Sequence, residues 1–249
     1  TVATLLAGKA ASVEHPYSAF IGFILGTGTN SAYLEKNTNI RKLSDIGPNG
    51  AQIINMESGS LDKIAGGSID GNFDAGTIKP GSYRFEKMIS GAYLGPLGSR
   101  VIEEAIEAGL FSTEKKEKIS TLLPLDTVTM DLFLHNPYSK DNALAKACTQ
   151  PADRSICYTL ADEVIERAAK LSAVNLSATI LKGDAGTDPA FPIAICADGT
   201  TFFKTKDLLF RTRYYLKQYL EEQHGRYFEI IHNEDAPIIG ASVAALLNV

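Results

Sequence analysis

Phe23-Ile24-Leu25-Gly26-Thr27-Gly28-Thr29-Asn30-Ser31-Ala32-Tyr33-Leu34-Glu35 is the stretch on which the fold turns. The run from Ser18 to Leu25 is short, apolar and rich in β-formers, and it reads as a buried strand. Gly26-Thr27-Gly28-Thr29-Asn30 breaks it, and extended character resumes over Ser31 to Glu35, giving strand, glycine loop, strand. A loop flanked by glycines lets backbone N–H groups approach an anion closely, and the two Thr hydroxyls add donors. The same five residues also suit a hairpin turn that needs glycine, and both readings stand at this point. The loop is neither a Walker A loop, since no Gly-Lys-Ser/Thr follows, nor the dinucleotide fingerprint, since the third Gly is missing and no helix follows.

Outward from this stretch, a third strand is expected at Gln52–Met56. Residues 57–81 are rich in Gly, Ser and Asp and read as loop, with a short helix around Leu61–Ile64. From Tyr83 the pattern becomes helical, with Phe85, Met88, Ile89 and Tyr93 on one face and Leu97, Val101, Ile102 and Ile106 continuing it to a stop at Gly109. A short charged helix is expected at Glu114–Thr121, and the segment Thr127–Asn142 is ambiguous. Cys157–Lys182 carries the strongest helical periodicity, closed by Gly183. Phe191–Ala197 reads as a buried strand, Asp207–His224 as an amphipathic helix, Arg226–His232 as a strand and Ile238–Leu247 as a small-residue helix. Strands alternating with long helices argue an α/β fold.

Composition removes several functional classes. The chain has 249 residues, 45% of them hydrophobic, which excludes disorder. Three Cys cannot build a disulfide framework, and Cys148, Cys157 and Cys196 lack CxxC spacing, so all three read as buried structural thiols. A net charge of −5 argues against a nucleic-acid partner, and no apolar run approaches the ~18–20 residues of a membrane helix. No basic n-region or small-residue cleavage site follows Thr1, so the expectation is a cytoplasmic protein. His15, His135, His224 and His232 lie in unrelated contexts and form no metal motif.

Four further features carry chemistry. Glu57 follows an apolar strand and faces Ser58-Gly59, a usual ligand position in α/β proteins and equally the place of a solvated loop acid. Glu86 sits at a helix start, as a ligand or as a charge complementing the helix dipole. With Asn30, these two carboxylates would suit a polyhydroxylated ligand, because a carboxylate accepts from two hydroxyls at once. Asp198-Gly199-Thr200 is a turn or a nucleotide-contacting loop, and Gly240-Ala241-Ser242 holds a phosphate or adenosine edge, or allows close helix packing.

Taken together these motifs resemble the large, C-terminal domain of the hexokinase family. The similarity rests on Phe23–Glu35, Ile54-Asn55-Met56-Glu57-Ser58-Gly59, Pro80-Gly81, Phe85-Glu86-Lys87-Met88-Ile89-Ser90-Gly91-Ala92-Tyr93-Leu94-Gly95, Arg167-Ala168-Ala169 and Asp198-Gly199-Thr200 with Lys204. It implies the actin-like ATPase fold, a ribonuclease-H-like mixed sheet flanked by helices. It also implies transfer of the ATP γ-phosphoryl, with Mg²⁺, to the 6-hydroxyl of a hexose such as glucose. By that resemblance Asn30, Glu57 and Glu86 are sugar ligands. Gly26, Thr27 and Gly28 form a phosphate loop, joined by Gly91, Thr127, Asp198, Gly199, Thr200 and Gly240 on the nucleotide, with no protein metal ligand.

Three departures matter. Ser58 stands where the family usually has an aromatic residue. Asp235-Ala236-Pro237-Ile238-Ile239-Gly240-Ala241-Ser242 replaces its glycine-rich adenosine segment. The family's general-base Asp directly precedes a Thr-Val pair, and here Thr1-Val2 opens the chain. The expectation is therefore a large lobe whose partner is the small lobe of the same protein, nearly inactive alone because both lobes position the reactants. The alternatives are a non-catalytic sugar- or nucleotide-sensing domain and a kinase of an N-acetylhexosamine.

Overall fold

The computed structural model describes residues 1–11, 16–43, 45–112 and 116–247. Among these described residues, five strands form one mixed sheet in the order β3-β2-β1-β4-β5. They are β1 (Ala19–Leu25), β2 (Thr29–Lys36), β3 (Ala51–Asn55), β4 (Ile193–Asp198) and β5 (Phe228–His232). The glycine loop turns β1 antiparallel onto β2, with Leu25 opposite Thr29, and β3 continues the meander. β4 then runs parallel beside β1 with Ile24 opposite Asp198, and β5 parallel beside β4. The carboxyl ends of β1 and β4 therefore sit side by side, where α/β sheets hold ligands.

Among the described residues the α-helices are α1 (Val2–Ala11), α2 (Ser68–Ala75), α3 (Arg84–Ile89), α4 (Leu94–Glu107), α5 (Lys116–Ser120), α6 (Thr127–His135), α7 (Ala143–Ala147), α8 (Pro151–Ile180), α9 (Thr200–Lys204), α10 (Leu208–Leu216), α11 (Glu222–His224) and α12 (Ala236–Leu247). A π-helical turn over Lys217–Glu221 joins α10 to α11. Strand alternation sorts the core. Ile21, Phe23 and Leu25 face α3, α8 and α10 in a main cluster with Ile89, Ile165, Leu176 and Phe202. Each such side chain contributes about 1.5–3 kcal/mol by burial. Gly22 faces the other way, where a Cβ would lie 2.3 Å from the Thr1 carbonyl oxygen, so α1 rests on the backbone of β1. A satellite cluster of Ile102, Phe111, Phe133, Leu144 and Cys157 lies under α4 to α8. All three cysteines are buried free thiols, and burial pushes Cys196 up to about 12.

The strands fall where the alternation put them, within two residues at each end. The helices differ more. No helix forms over Leu61–Ile64: the Leu61 carbonyl accepts the Phe85 N–H at 3.1 Å, which pins that stretch to α3. The helix of this region is α2, where the Asp70 carboxylate accepts the Gly67 N–H at 2.8 Å. The ambiguous Thr127–Asn142 segment opens with α6, capped by Asp126, whose side chain accepts the Thr129 N–H at 2.6 Å. α8 begins six residues before Cys157, with Pro151 in its first turn. There buried Asp153 accepts both the N–H and the hydroxyl of Ser112, at 2.9 and 2.6 Å. Of the expected helix at Glu114–Thr121, Glu114 and Lys115 lie outside the described residues, as does His15.

Candidate functional site

Asn30, Glu57 and Glu86 come from β2, the end of β3 and α3, and the fold brings them together. Backbone N–H groups of Ser31 and Ser58 donate to Asn30 Oδ1 at 2.7 and 3.2 Å, which orients the Asn30 amide NH₂. That NH₂ donates to Asn55 Oδ1 at 2.7 Å, and the Asn55 NH₂ donates to Glu57 Oε1 at 2.5 Å. Asn55 thus bridges two predicted ligands. It ends an apolar strand run and had no sequence signal of its own beyond that position. Glu57 is exposed and has φ = 51°, a left-handed conformation that costs a non-glycine residue about 1–3 kcal/mol and clusters at functional sites.

Glu86 Oε2 accepts the Thr29 N–H at 3.0 Å. A Cβ on Gly28 or Gly59 would come within 2.7 and 3.0 Å of that oxygen, so both glycines admit the carboxylate to the loop. Glu86 is therefore committed to the glycine loop across the fold. Its place in the first turn of α3 supplies the approach direction.

The second group of predicted residues converges on the other side of the same loop. The Gly26 carbonyl accepts the Gly91 N–H at 2.8 Å and the Thr201 hydroxyl at 3.0 Å, tying three segments into one knot. The Thr127 hydroxyl donates to the Gly91 carbonyl at 2.7 Å and accepts the Gly95 N–H at 2.8 Å. A Cβ on Gly91 would strike Thr201 Oγ1 at 2.2 Å. Gly199 has φ = 115° and passes so near Leu25 that a Cβ would lie 2.3 Å from its carbonyl oxygen. Asp198 Oδ1 accepts the Gly199 N–H at 2.7 Å. Asp198 thereby shapes the turn without lining the cleft beyond it.

That cleft, about 610 Å³, is lined by Gly26, Thr27, Gly91, Ala92, Thr127, Gly199, Thr200, Thr201 and Lys204. Sequence reading missed its far wall, formed by Val128, Asp131 and Leu132 of α6. Val128 and Leu132 are 66% and 55% exposed, and i, i+4 apolar spacing looks like core until the fold shows it facing a cleft. Gly240 stands apart. It is buried in α12, where a Cβ would lie 1.9 Å from the Ala3 carbonyl oxygen, so it seats α12 on α1 and does not reach this cleft. The close-packing alternative describes its position.

The glycine cradle at residues 26–28 and 91, the Thr hydroxyls and the Lys204 ammonium fit a phosphate-bearing ligand. Among the described residues no group of three His, Cys, Asp or Glu is placed to hold a metal ion, and no helix is long and apolar enough to cross a membrane.

Residues 20–247 match the sequence model of hexokinases. The chain belongs to the hexokinase family. It is 30% identical over 246 residues to the hexokinase-like 1 protein of Arabidopsis thaliana, covering 92% of this chain and 49% of that one. It is 29% identical to hexokinase-1 of Nicotiana tabacum, covering 100% of this chain and 52% of the relative. Among solved structures, the Schistosoma mansoni hexokinase complexed with glucose superposes with a TM-score of 0.76 at 25% identity, over 99% of this chain and 56% of that one. The sheet order and flanking helices are those of the actin-like ATPase fold that these hexokinases share. The chain spans about half the length of the relatives it matches.

The family departures have structural places. The Ser58 hydroxyl lies 3.1 Å from the Ser31 hydroxyl and accepts from the Asn175 amide at 3.4 Å, facing α8. Residues 236–247 form α12 against α1. Arg167 pairs with Asp70 at 2.9 Å and ties α8 to α2.

Proposed function

We propose that this chain is the large lobe of an ATP-dependent hexose kinase, holding a hexose at Asn30, Glu57 and Glu86 and the nucleotide phosphates in the neighbouring cleft. One observation carries the reading: both groups are built on the single loop Gly26–Gly28. Glu86 braces it from one side and Gly91 from the other. A hydroxyl held by the carboxylates would then sit beside a phosphoryl group in the cleft, which is the proximity that phosphoryl transfer requires.

The two carboxylates accept hydrogen bonds from hydroxyls, and the Asn30 amide donates one, so the trio offers both acceptors and a donor to a polyol. Thr27, Thr200 and Lys204 supply donors to phosphate oxygens. ATP supplies the transferable phosphoryl group, and Mg²⁺ accompanies its phosphates. We further propose that the opposing wall comes from the small lobe of the same protein and that the general base is an Asp directly preceding the Thr-Val pair. The family pattern, in which an Asp precedes the Thr-Val pair, supports this, as does the half-length match to the relatives.

Calorimetry with glucose, and separately with a non-hydrolysable ATP analogue and Mg²⁺, tests the binding half; absence of glucose binding overturns it. A coupled assay tests the lobe assignment. Hexose-dependent ADP release by this chain alone at ordinary turnover rates, roughly 1–10³ s⁻¹, would place the base within these 249 residues.

A further inference from the structure

A pocket of about 520 Å³ opens between the outer face of α8 and the π-helical turn over Lys217–Glu221. It shares no lining residue with the phosphate cleft, and none of Asn30, Glu57 and Glu86 reaches it. Val174 and Ala178 of α8 form its floor, with Leu181 just beyond, and Tyr215 and Tyr219 form its wall. The inner face of the same turns of α8 is occupied, since Leu176 and Ile180 belong to the main core. Val174 is 60% exposed, so an apolar side chain stands uncovered in the pocket. A π-helical turn is rare and is frequently found at functional sites. Here it carries Gln218 and Tyr219 into the pocket wall.

The lining carries one cation and, among the described residues, no carboxylate. The Lys170 ammonium pairs with Glu166 at 3.1 Å and lies 5.4 Å from the centre of the Tyr215 ring. Glu166 also accepts the Tyr215 hydroxyl and pairs with Arg211 at 3.4 Å. It thereby positions both Lys170 and Tyr215 without lining the pocket itself. An ammonium has three N–H donors, which leaves Lys170 able to donate to a ligand. The Tyr219 ring is held edge to face on His224, with centroids 4.7 Å apart.

Two tyrosine rings beside an aliphatic floor favour a flat aromatic body. A single ammonium with no carboxylate in the lining favours a negative charge at one edge of that body, where the hydrogen bond is charge-assisted. The amides of Gln218 and Gln223 add donors and acceptors around it. The volume falls within the ~300–1,000 Å³ usual for small-ligand sites. We propose that this pocket is a ligand site separate from the hexose and phosphate sites, and that it takes a small flat aromatic carboxylate.

Calorimetry on the full chain with 2-naphthoate and with 2-naphthamide, its uncharged counterpart, tests it. The variants are Val174→Phe, which fills the pocket from an exposed position, Tyr219→Ala, which removes a ring of its wall, and Lys170→Gln, which removes the cation. Circular dichroism and urea unfolding identify the variants that fold as the wild type does, and only those are compared. The expected result is one saturable site for 2-naphthoate with a Kd below about 1 mM, and 2-naphthamide at least tenfold weaker. Val174→Phe and Tyr219→Ala should each weaken 2-naphthoate at least fivefold. Lys170→Gln should weaken 2-naphthoate at least fivefold and change 2-naphthamide less than twofold. Absence of saturable 2-naphthoate binding overturns the site, as does binding that no folded variant alters. Equal affinity for the two compounds overturns the assignment of an anionic ligand.

Discussion

Glu86 Oε2 accepts the backbone N–H of Thr29 at 3.0 Å, across 57 positions of sequence, so a carboxylate offered to ligand is also a strut of the glycine loop. The two roles separate by substitution. Glu86→Gln keeps an oxygen able to accept the Thr29 N–H but loses the charge. Charge-assisted hydrogen bonds are worth about 1.5–3 kcal/mol, so hexose affinity should fall roughly 10- to 100-fold with folding stability changed by less than about 1 kcal/mol. Glu86→Ala should lose the same affinity and, in addition, about 1–3 kcal/mol of stability, because the N–H of buried Thr29 is left without its acceptor. Titration calorimetry and urea unfolding on the same preparations read the two effects.

Gly199 and Gly240 both stand where the resemblance puts nucleotide contacts, and the structure assigns them different work. A methyl group on Gly199 would meet the Leu25 carbonyl at 2.3 Å in a φ = 115° conformation, while one on Gly240 would meet the Ala3 carbonyl at 1.9 Å. Both Ala variants should destabilise by more than about 1 kcal/mol. Only Gly199→Ala should also weaken nucleotide binding in the folded protein, by tenfold or more. An equal loss of nucleotide affinity in Gly240→Ala would mean that α12 contributes to the cleft after all.

This contrast shows what a sequence pattern can and cannot carry. The strand, glycine loop, strand unit around Gly26–Gly28 was legible because alternation and glycine are local signals, and α8 was legible from its periodicity. Asn30, Glu57 and Glu86 could be picked out by residue type at strand ends and helix starts, and the fold brings them together. α1 was not legible. Its segment, Val2–Ala11, is nearly all small and apolar and holds Gly8, so it offers no polar face to set a helical period. Its buried side is set by contact with β1, β2, β4 and α12. The α6 wall escaped for the opposite reason, since Val128 and Leu132 have the spacing of core residues and face a cleft. For Gly240, sequence left two readings, and the packing of α12 on α1 is a tertiary fact.

Ser58, where the family usually carries an aromatic residue, belongs to a polar network reaching α8. Asn175 Oδ1 accepts the hydroxyl of fully buried Ser31 at 3.2 Å, and the Asn175 amide reaches Ser58 Oγ at 3.4 Å. The same Ser58 supplies the N–H that holds Asn30 Oδ1. Asn175→Ala removes a buried partner and should cost about 1–3 kcal/mol. Because Ser58 then loses its tie to α8, hexose affinity should also drop several-fold, with nucleotide affinity unchanged. A stability loss with hexose affinity intact would show the network to be structural alone.

The Asp74–Lys87 pair makes the turn beside Glu86 sensitive to acid. The hydrogen bond from Lys87, against the opposing effect of burial and aided by the Gly81 N–H, holds the Asp74 carboxyl below its ordinary value of 3.8. A carboxyl that binds protons less readily folded than unfolded adds stability that is fully present above the ordinary aspartate value. That stability is lost as pH falls below about 4. Lys87 is 5% exposed at its side chain and Asp74 17%, so Asp74→Asn strands a nearly buried ammonium. The cost should be roughly 3 kcal/mol, at the low end for breaking a buried pair because Asp74 keeps one side toward solvent. Urea unfolding from pH 3 to pH 8 should show a constant gap between wild type and Asp74→Asn above about pH 5 that narrows below about pH 4. A gap as wide at pH 3 as at pH 7 would mean that the lost stability comes from packing and not from the carboxylate's charge.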